Sequence, residues 1–412
     1  DLYVAFSKSG MLAKDGKSKP FDEKANGYVR GEGVGAVMLK SLSKAEQDGD
    51  HIYAVVRGCG INHGGHASSL TAPNSAAQAQ LIIDTYQKSN INPLDVTYIE
   101  AHGTGTKLGD PVEIEGLKKA FKKLYEMNRI TSFEEGYCNI GSVKSNIGHL
   151  ESAAGIASVF KVLLAMKNNR LPASIHINQL NPYISLQDSP FQILRETKDW
   201  VVPEGKTRMA GISCFGYGGA NANLILEQYE ARNIKTDEAE KQRIYIYSAK
   251  NREQLKTYIK KHVDYLYEKK DDSSFSLESY AYVLQIGRES MEERVAITVK
   301  NIEQLLVCLN GYLDGKESEN CHIGNIQSNN MFKLLNESNS WNDYEMKLYA
   351  EKDYGTIAVM WVNGAELDFK KLYDDERPRK ISIPEYPFQK TRYGLPVEEC
   401  LTNETTMNKL HP

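Results

Sequence analysis

The hydrophobic and polar positions change period several times along the first half of the chain. Tyr53-Ala54-Val55-Val56-Arg57-Gly58 is a short β-rich run and reads as a strand. Pro73 to Lys88 reads as a helix. Val96 to Glu100 is again a strand and delivers His102 just beyond its end. Asp110-Pro111-Val112-Glu113 then predicts a helix start: Asp110 caps, Pro111 fits the first helical position, and Glu113 reaches back to the cap. Leu117, Ala120, Phe121 and Leu124 continue that helix along one face. Cys138 to Val143 predicts a strand leading toward His149, and Ser152 to Ala157 a helix of small residues able to pack very closely. Further strands are expected at Met209 to Phe215 and Ala222 to Leu226. This alternation implies an α/β fold, in which ligands gather at strand-to-helix loops. Both histidines sit on such loops.

The pattern changes near residues 228–242, where a Gly-, Ala- and Ser-rich half gives way to one dominated by Lys, Glu and Tyr. Residues 231–241 read as a solvated linker. Beyond it, strands at Ile244–Ser248 and Val295–Val299 and helices at Arg252–Tyr267, Leu277–Ile286 and Ile302–Leu313 predict a small α/β module. Asn325 to Asp343 is rich in Asn and Ser and reads as a mobile connection. Ile357 to Tyr393 carries aromatics and prolines, and the tail after Val397 is expected to be disordered.

Composition narrows the function classes. The chain has 412 residues, 41% hydrophobic and 25% charged, with a net charge of −4. No global field favours nucleic acid, and no apolar run approaches the roughly 20 residues that span a bilayer. Six scattered cysteines without a C-x-x-C pair argue against a disulfide scaffold or structural zinc and for a reducing cytoplasm. The opening Asp1-Leu2-Tyr3-Val4 is neither a signal peptide nor a natural start, so the sequence is expected to begin mid-protein. Gly10 to Ser18 has one residue too many between its glycines for a phosphate loop. Gly31-Glu32-Gly33-Val34-Gly35 suits close backbone packing better than a dinucleotide. His63-Gly64-Gly65-His66 lacks a nearby third ligand, and no metal site is expected.

The candidate chemistry lies in Glu100-Ala101-His102-Gly103-Thr104-Gly105-Thr106 and in Lys144-Ser145-Asn146-Ile147-Gly148-His149-Leu150-Glu151. A neutral imidazole bonded to backbone through one ring nitrogen donates from the other. Two such donors on separate loops can converge on one thioester oxygen and stabilise an enolate as carbon dioxide leaves. The hydroxyls of Thr104 and Thr106 suit an amide-bearing thioester arm. Lys144 could orient the site, hold a backbone carbonyl, or simply be a surface lysine.

Four stretches resemble the ketosynthase domain of modular polyketide synthases, in family order. They are Lys19-Pro20-Phe21-Asp22-Glu23-Lys24-Ala25-Asn26-Gly27-Tyr28-Val29-Arg30-Gly31-Glu32-Gly33, Glu100 to Glu113, Gly141 to Gly155, and Gly211-Ile212-Ser213-Cys214-Phe215-Gly216-Tyr217-Gly218-Gly219-Ala220-Asn221-Ala222-Asn223. The resemblance implies a thiolase-like layered α/β fold over residues 1–229, as the C-terminal portion of a ketosynthase. It also implies an α/β flanking linker over 243–316, a polar mobile connection over 317–346, a wrapping segment over 347–396 and a disordered tail over 397–412. The aromatics of the wrapping segment are expected to dock onto the larger domain.

The family joins an acyl thioester to a malonyl-type extender by decarboxylative Claisen condensation, using a Cys-His-His triad. By motif position, the resemblance makes His102 and His149 the histidine pair and Lys144 the family's lysine. Thr104 and Thr106 become contacts to the phosphopantetheine arm, and Tyr217 the gating position of the Gly-rich loop. The nucleophilic cysteine's motif lies upstream of residue 1 in the family, and Cys214 does not replace it. A separate expectation is therefore that this chain alone is inactive. Asn223 departs from the His common at its position, with a packing effect expected. The implied partners are an acyl carrier protein bearing phosphopantetheine, a second copy of the chain and a separate trans-acting acyltransferase, with no cofactor resident in the chain itself. No G-x-S-x-G acyltransferase motif lies between linker and wrap. The alternative is a non-extending domain that holds or passes acyl chains. A fatty-acid ketosynthase and a degradative thiolase fit less well.

Overall fold

The computed structural model describes residues 2–65, 72–230, 240–327, 339–373 and 377–391. The chain divides into a first unit, Asp1–Glu46 with Ile52–Asn233, and a second, Gln47–His51 with Ile234–Pro412.

In the first unit the strands are β1 (Ala54–His63), β2 (Tyr98–Glu100), β3 (Cys138–Gly141), β4 (Arg170–Leu171), β5 (Phe191–Ile193), β6 (Lys198–Asp199), β7 (Met209–Phe215) and β8 (Ala220–Gln228). Six of them form one sheet in the order β1-β8-β7-β2-β3-β5, and β4 pairs with β6 separately. The pairs β1–β8 and β8–β7 are antiparallel, whereas β7, β2, β3 and β5 run parallel. Every residue of β2 and β3 is buried, as parallel strands covered on both faces must be. One face carries the helices Ser75–Lys88 and Gly109–Met127, whose Ile82, Tyr86, Ile114, Leu117 and Phe121 share a core with Phe191. The other carries Ala154–Asn168, whose Val162, Ala165 and Met166 pack with Tyr98, Trp200 and Ile212. The result is a layered α/β unit.

One local expectation fails. The helix begins at Gly109, after Leu108, and Asp110 and Glu113 do not cap it. Both carboxylates are buried and turned toward the preceding loop. Asp110 accepts N–H groups from Gly105 at 3.1 Å and from Phe21 at 2.8 Å, and Phe21 sits at a φ of 66°. Loop amides buried without partners cost more than a helix end that water can reach, so the tertiary demand wins.

In the second unit, β9 (Arg243–Ala249), β10 (Glu293–Val299) and β11 (Cys321–Asn325) form an antiparallel sheet in the order β11-β10-β9. The helices Arg252–Lys269, Leu277–Ile286 and Ile302–Asp314 supply much of its core. The 317–346 stretch, expected as a polar connection, contributes β11 and the start of the helix Asn339–Glu351. Backbone pairing with β10 explains how so polar a segment becomes a strand. The later aromatic segment also differs from expectation. Ile357, Trp361, Phe369 and Ile383 are buried in the second unit's own core, and Arg294 donates to the Trp361 carbonyl at 2.7 Å. Residues 47–51 join this unit through Lys380, whose backbone N–H reaches Gly49 O at 2.8 Å and whose ammonium reaches Asp50 at 2.5 Å. The central linker positions 231–239, His66, Arg392, Tyr393 and the tail 397–412 lie outside the described residues.

Candidate active site

Strand register brings the two histidine loops together. β2 and β3 are parallel neighbours, with Tyr98 opposite Asn139 and Glu100 opposite Gly141. Each strand therefore releases its loop at the same edge of the sheet: His102 follows β2, and Lys144 and His149 follow β3. β7 runs parallel on the other side of β2, with Glu100 opposite Ile212, so it ends there too. The rings of His102 and His149 lie 5.6 Å apart, nearly perpendicular. The Phe215 ring is 5.7 Å from His102, and the Tyr28 ring 4.9 Å from His149.

The His102 loop is held from several sides. Glu113 accepts the backbone N–H groups of His102 and Gly103 at 2.7 and 2.8 Å. Burial raises the Glu113 carboxyl to about 7, against the pull of those donors. Buried Lys144 donates from Nζ to the His102 carbonyl at 2.5 Å. The Ser142 hydroxyl donates to the Gly103 carbonyl at 3.0 Å. Gly103 and Gly105 have φ of 43° and 76°, and a Cβ on either would press on its neighbours. Only glycine meets both demands without strain. Glu100 ties β2 to the second loop by accepting Val143 N–H at 2.6 Å and the Tyr98 hydroxyl at 2.7 Å, while pairing with Lys161 at 2.8 Å.

His149 is fixed through its backbone and its ring. Its N–H donates to Val29 O at 2.7 Å, and its carbonyl accepts from Gly31 N at 2.9 Å. Ring Nδ1 accepts the Glu151 backbone N–H at 2.8 Å. In a neutral ring that leaves the proton on Nε2. Burial, reinforced by Lys144, lowers His149 to about 4. Burial, then Lys144 and His149, lower His102 well below its ordinary value. Both shifts favour the neutral imidazole at pH 7. Burial also lowers Lys144, although nearby acidic groups oppose it.

The remaining candidates lie around this centre. The Thr104 and Thr106 hydroxyls are 3.2 Å apart, and Thr106 also accepts Gly109 N–H at 3.2 Å. Tyr217 is exposed on the turn between β7 and β8, its ring 6.3 Å from Phe6. That turn is braced by His63, whose Nε2 lies 3.0 Å from Gly218 O and whose Nδ1 accepts Gly65 N–H at 3.0 Å. Both nitrogens of His63 thus serve a polar loop. Buried Asn223 donates to Ile212 O at 3.1 Å, inside the β7–β8 ladder. Cys214 is half-buried, and burial raises its thiol above the ordinary range even beside Lys144.

Sequence reasoning missed Glu100, Arg30, Glu151 and the clamping role of Glu113. Glu100 left a readable trace: a carboxylate ending an apolar strand, with Lys161 set in an apolar helix. Buried charges of that kind need partners.

The family model described as β-ketoacyl synthase, N-terminal domain, matches residues 1–45, and the one described as β-ketoacyl synthase, C-terminal domain, matches 53–178. A RhiE-like, KS-MAT linker domain matches 246–316. Polyketide synthase PksN of Bacillus subtilis is 44% identical over 405 residues, covering 96% of this chain and 7% of its own. Polyketide synthase PksM of the same organism is 40% identical over 422 residues, covering all of this chain and 10% of its own. The chain thus spans a tenth or less of these relatives. Among solved structures, the ketosynthase from module 6 of the bacillaene synthase of Bacillus subtilis 168 superposes with a TM-score of 0.86 at 37% identity. That match covers 96% of this chain and 67% of the other. Two histidine loops on adjacent parallel strands, two ketosynthase models and this superposition agree: the chain belongs to the β-ketoacyl synthase family, with the thiolase-like fold of polyketide-synthase ketosynthases.

Proposed function

We propose that His102 and His149 form the enolate-stabilising half of a condensing site. In the whole protein, that site would join an acyl thioester to a malonyl-type extender carried by an acyl carrier protein. The observation that carries this reading is the pair of neutral imidazoles 5.6 Å apart, one with its Nε2 proton fixed. The bond from the extender's α-carbon to its carboxylate breaks and carbon dioxide leaves. Its electron pair becomes the thioester enolate, whose oxygen the two N–H donors hold. The enolate carbon then attacks the acyl carbonyl and expels the thiolate that carried the acyl group. Lys144 acts on the His102 carbonyl and so positions that loop. The Thr104 and Thr106 hydroxyls would meet the phosphopantetheine arm, and Tyr217 would gate the acyl chain. A non-extending, chain-holding role is not favoured, since both histidines are present.

The acyl-accepting cysteine belongs, in this reading, outside residues 1–412. Burial raises the thiols of Cys138, Cys214 and Cys321, and thiolates need the opposite environment. Too few residues separate the linker match, ending at 316, from the helix Tyr354–Val362 for an acyltransferase domain. This supports a separately encoded acyltransferase. Homodimerisation belongs to the same proposal.

Condensation needs the acyl-accepting cysteine and is not expected of this chain, whereas the decarboxylation half-reaction needs only the enolate-stabilising donors. The test is therefore decarboxylation of a malonyl thioester, followed as release of carbon dioxide and acetyl thioester. His102→Ala and His149→Ala should each slow it by roughly 10²–10³-fold. A rate indifferent to both substitutions refutes the role. Intact mass after incubation with an acyl thioester should show no adduct, and a cysteine adduct formed at a catalytic rate overturns the placement of the nucleophile.

A further inference from the structure

His149 can donate to a substrate oxygen only while its proton sits on Nε2. The two neutral tautomers of an imidazole lie close in energy, and the hydrogen bond at the other nitrogen selects between them. Here that bond is the Glu151 backbone N–H, 2.8 Å from Nδ1. Glu151 is not a relaxed donor. Its φ is 49°, in the left-handed region that non-glycine residues rarely occupy. Strain of this kind persists only where the surroundings over-determine it.

The surroundings do so. Arg30 meets the Glu151 carboxylate two-pronged, Nε to Oε1 at 2.6 Å and Nη2 to Oε2 at 2.9 Å. The planar guanidinium matches a carboxylate at both oxygens, which fixes orientation as well as charge. Neither side chain is more than a third exposed. The guanidinium also lies 4.2 Å from the Tyr3 ring centroid and 5.7 Å from that of Phe6. Arg30 is itself held in register with His149: its chain neighbours Val29 and Gly31 make the two backbone hydrogen bonds to that residue. One short segment thus grips the histidine's backbone and, through Glu151, its ring.

We propose that Arg30 and Glu151 are a positioning pair for His149. Their two-pronged ion pair holds the Glu151 backbone in its left-handed conformation, and the N–H so aimed keeps the His149 proton on Nε2. This deepens the reading of His149 as an enolate-stabilising donor and rests on it. Neither residue touches the reacting atoms. A pair serving only as a staple between residues 30 and 151 would support stability and leave the tautomer alone.

Nitrogen NMR of the full chain carrying ¹⁵N-histidine separates the two roles, because Nδ1 and Nε2 of a fixed tautomer resonate far apart. The wild-type His149 should show a protonated Nε2 and a bare Nδ1. In Arg30→Met the two signals should move toward each other as the tautomers mix. Arg30→Lys keeps the charge without the two-pronged geometry and should give an intermediate result. Arg30→Met with Glu151→Gly should regain most of the wild-type pattern, because glycine adopts positive φ freely. His63, held through both nitrogens at a separate loop, reports whether each variant is folded. A folded Arg30→Met or Arg30→Lys protein with an unchanged His149 tautomer overturns the proposal, as does a double variant that regains nothing. In decarboxylation assays, Arg30→Met should lower kcat on the order of ten- to a hundred-fold, the range lost when the outer partner of a metal-ligating imidazole is removed, with KM little changed. Failure of the functional reading looks different: His149→Ala would leave decarboxylation untouched while the tautomer still answered to Arg30.

Discussion

Acid should unfold the second unit through His262. This residue is fully buried on the helix Arg252–Lys269. Its Nδ1 lies 2.7 Å from the Tyr280 hydroxyl, which is 3.0 Å from the Tyr247 hydroxyl. Tyr247, Tyr258 and Tyr280 pack edge-on against the imidazole at 5.2, 4.5 and 5.7 Å. Burial, with Arg288 and Lys261 adding to it, lowers His262 to about 3. The unfolded chain takes up its proton near 6.5, so stability is fully present above that value and is lost as pH falls toward about 3. At 1.36 kcal/mol per unit, pH 5 lies about 1.5 units below the unfolded value and costs about 2 kcal/mol. The limit at very low pH is about 5 kcal/mol. Trp341 and Trp361 are buried in this unit and Trp200 in the other. Urea unfolding followed by fluorescence in a Trp200→Phe background therefore reports the second unit. Between pH 7.5 and 5 the His262-containing protein should lose about 2 kcal/mol more than its His262→Phe counterpart. The Phe variant starts lower at pH 7.5, because Tyr280 loses its partner, so the difference in slope is the quantity read. Parallel pH dependences would refute the assignment.

Malonyl decarboxylation should stay flat from pH 8 to about 5 and fall near 4, where a proton on His149 Nδ1 would confront the Glu151 N–H; a pH–rate profile breaking near 6.5 contradicts it. Gly105→Ala should destabilise the first unit by about 1–3 kcal/mol in urea melts, since φ is 76° and the new Cβ would lie 3.0 Å from Lys19 N. An unchanged midpoint argues against the strained loop. Lys144→Met should cost about 1–3 kcal/mol by leaving the His102 carbonyl without its lysine donor. Equal stability in the same melts would show that water replaces the ammonium.

Much of the framework was legible because it is local. Short apolar runs marked β7 and β9, and period 3.6 marked the buried Leu117, Ala120, Phe121 and Leu124. The strand before each histidine is readable the same way, which puts both on strand-to-helix loops. Local rules misled where a residue's partner lay far along the chain. Asp110 and Glu113 have the spacing of a helix cap, yet Asp110 serves Phe21, 89 residues away. Polar Cys321–Asn325 becomes a strand only because β10 offers its backbone. Arg30 and Glu151 are separated by 121 residues, and no periodicity links them. Sequence alone determined the elements, the candidate histidines and the family resemblance. Only tertiary structure decided which edge of the sheet the loops share, which nitrogen of His149 keeps its proton, and which buried carboxylate holds which loop. Those choices follow from satisfying buried polar groups at close range, and the groups meet only once the chain has folded.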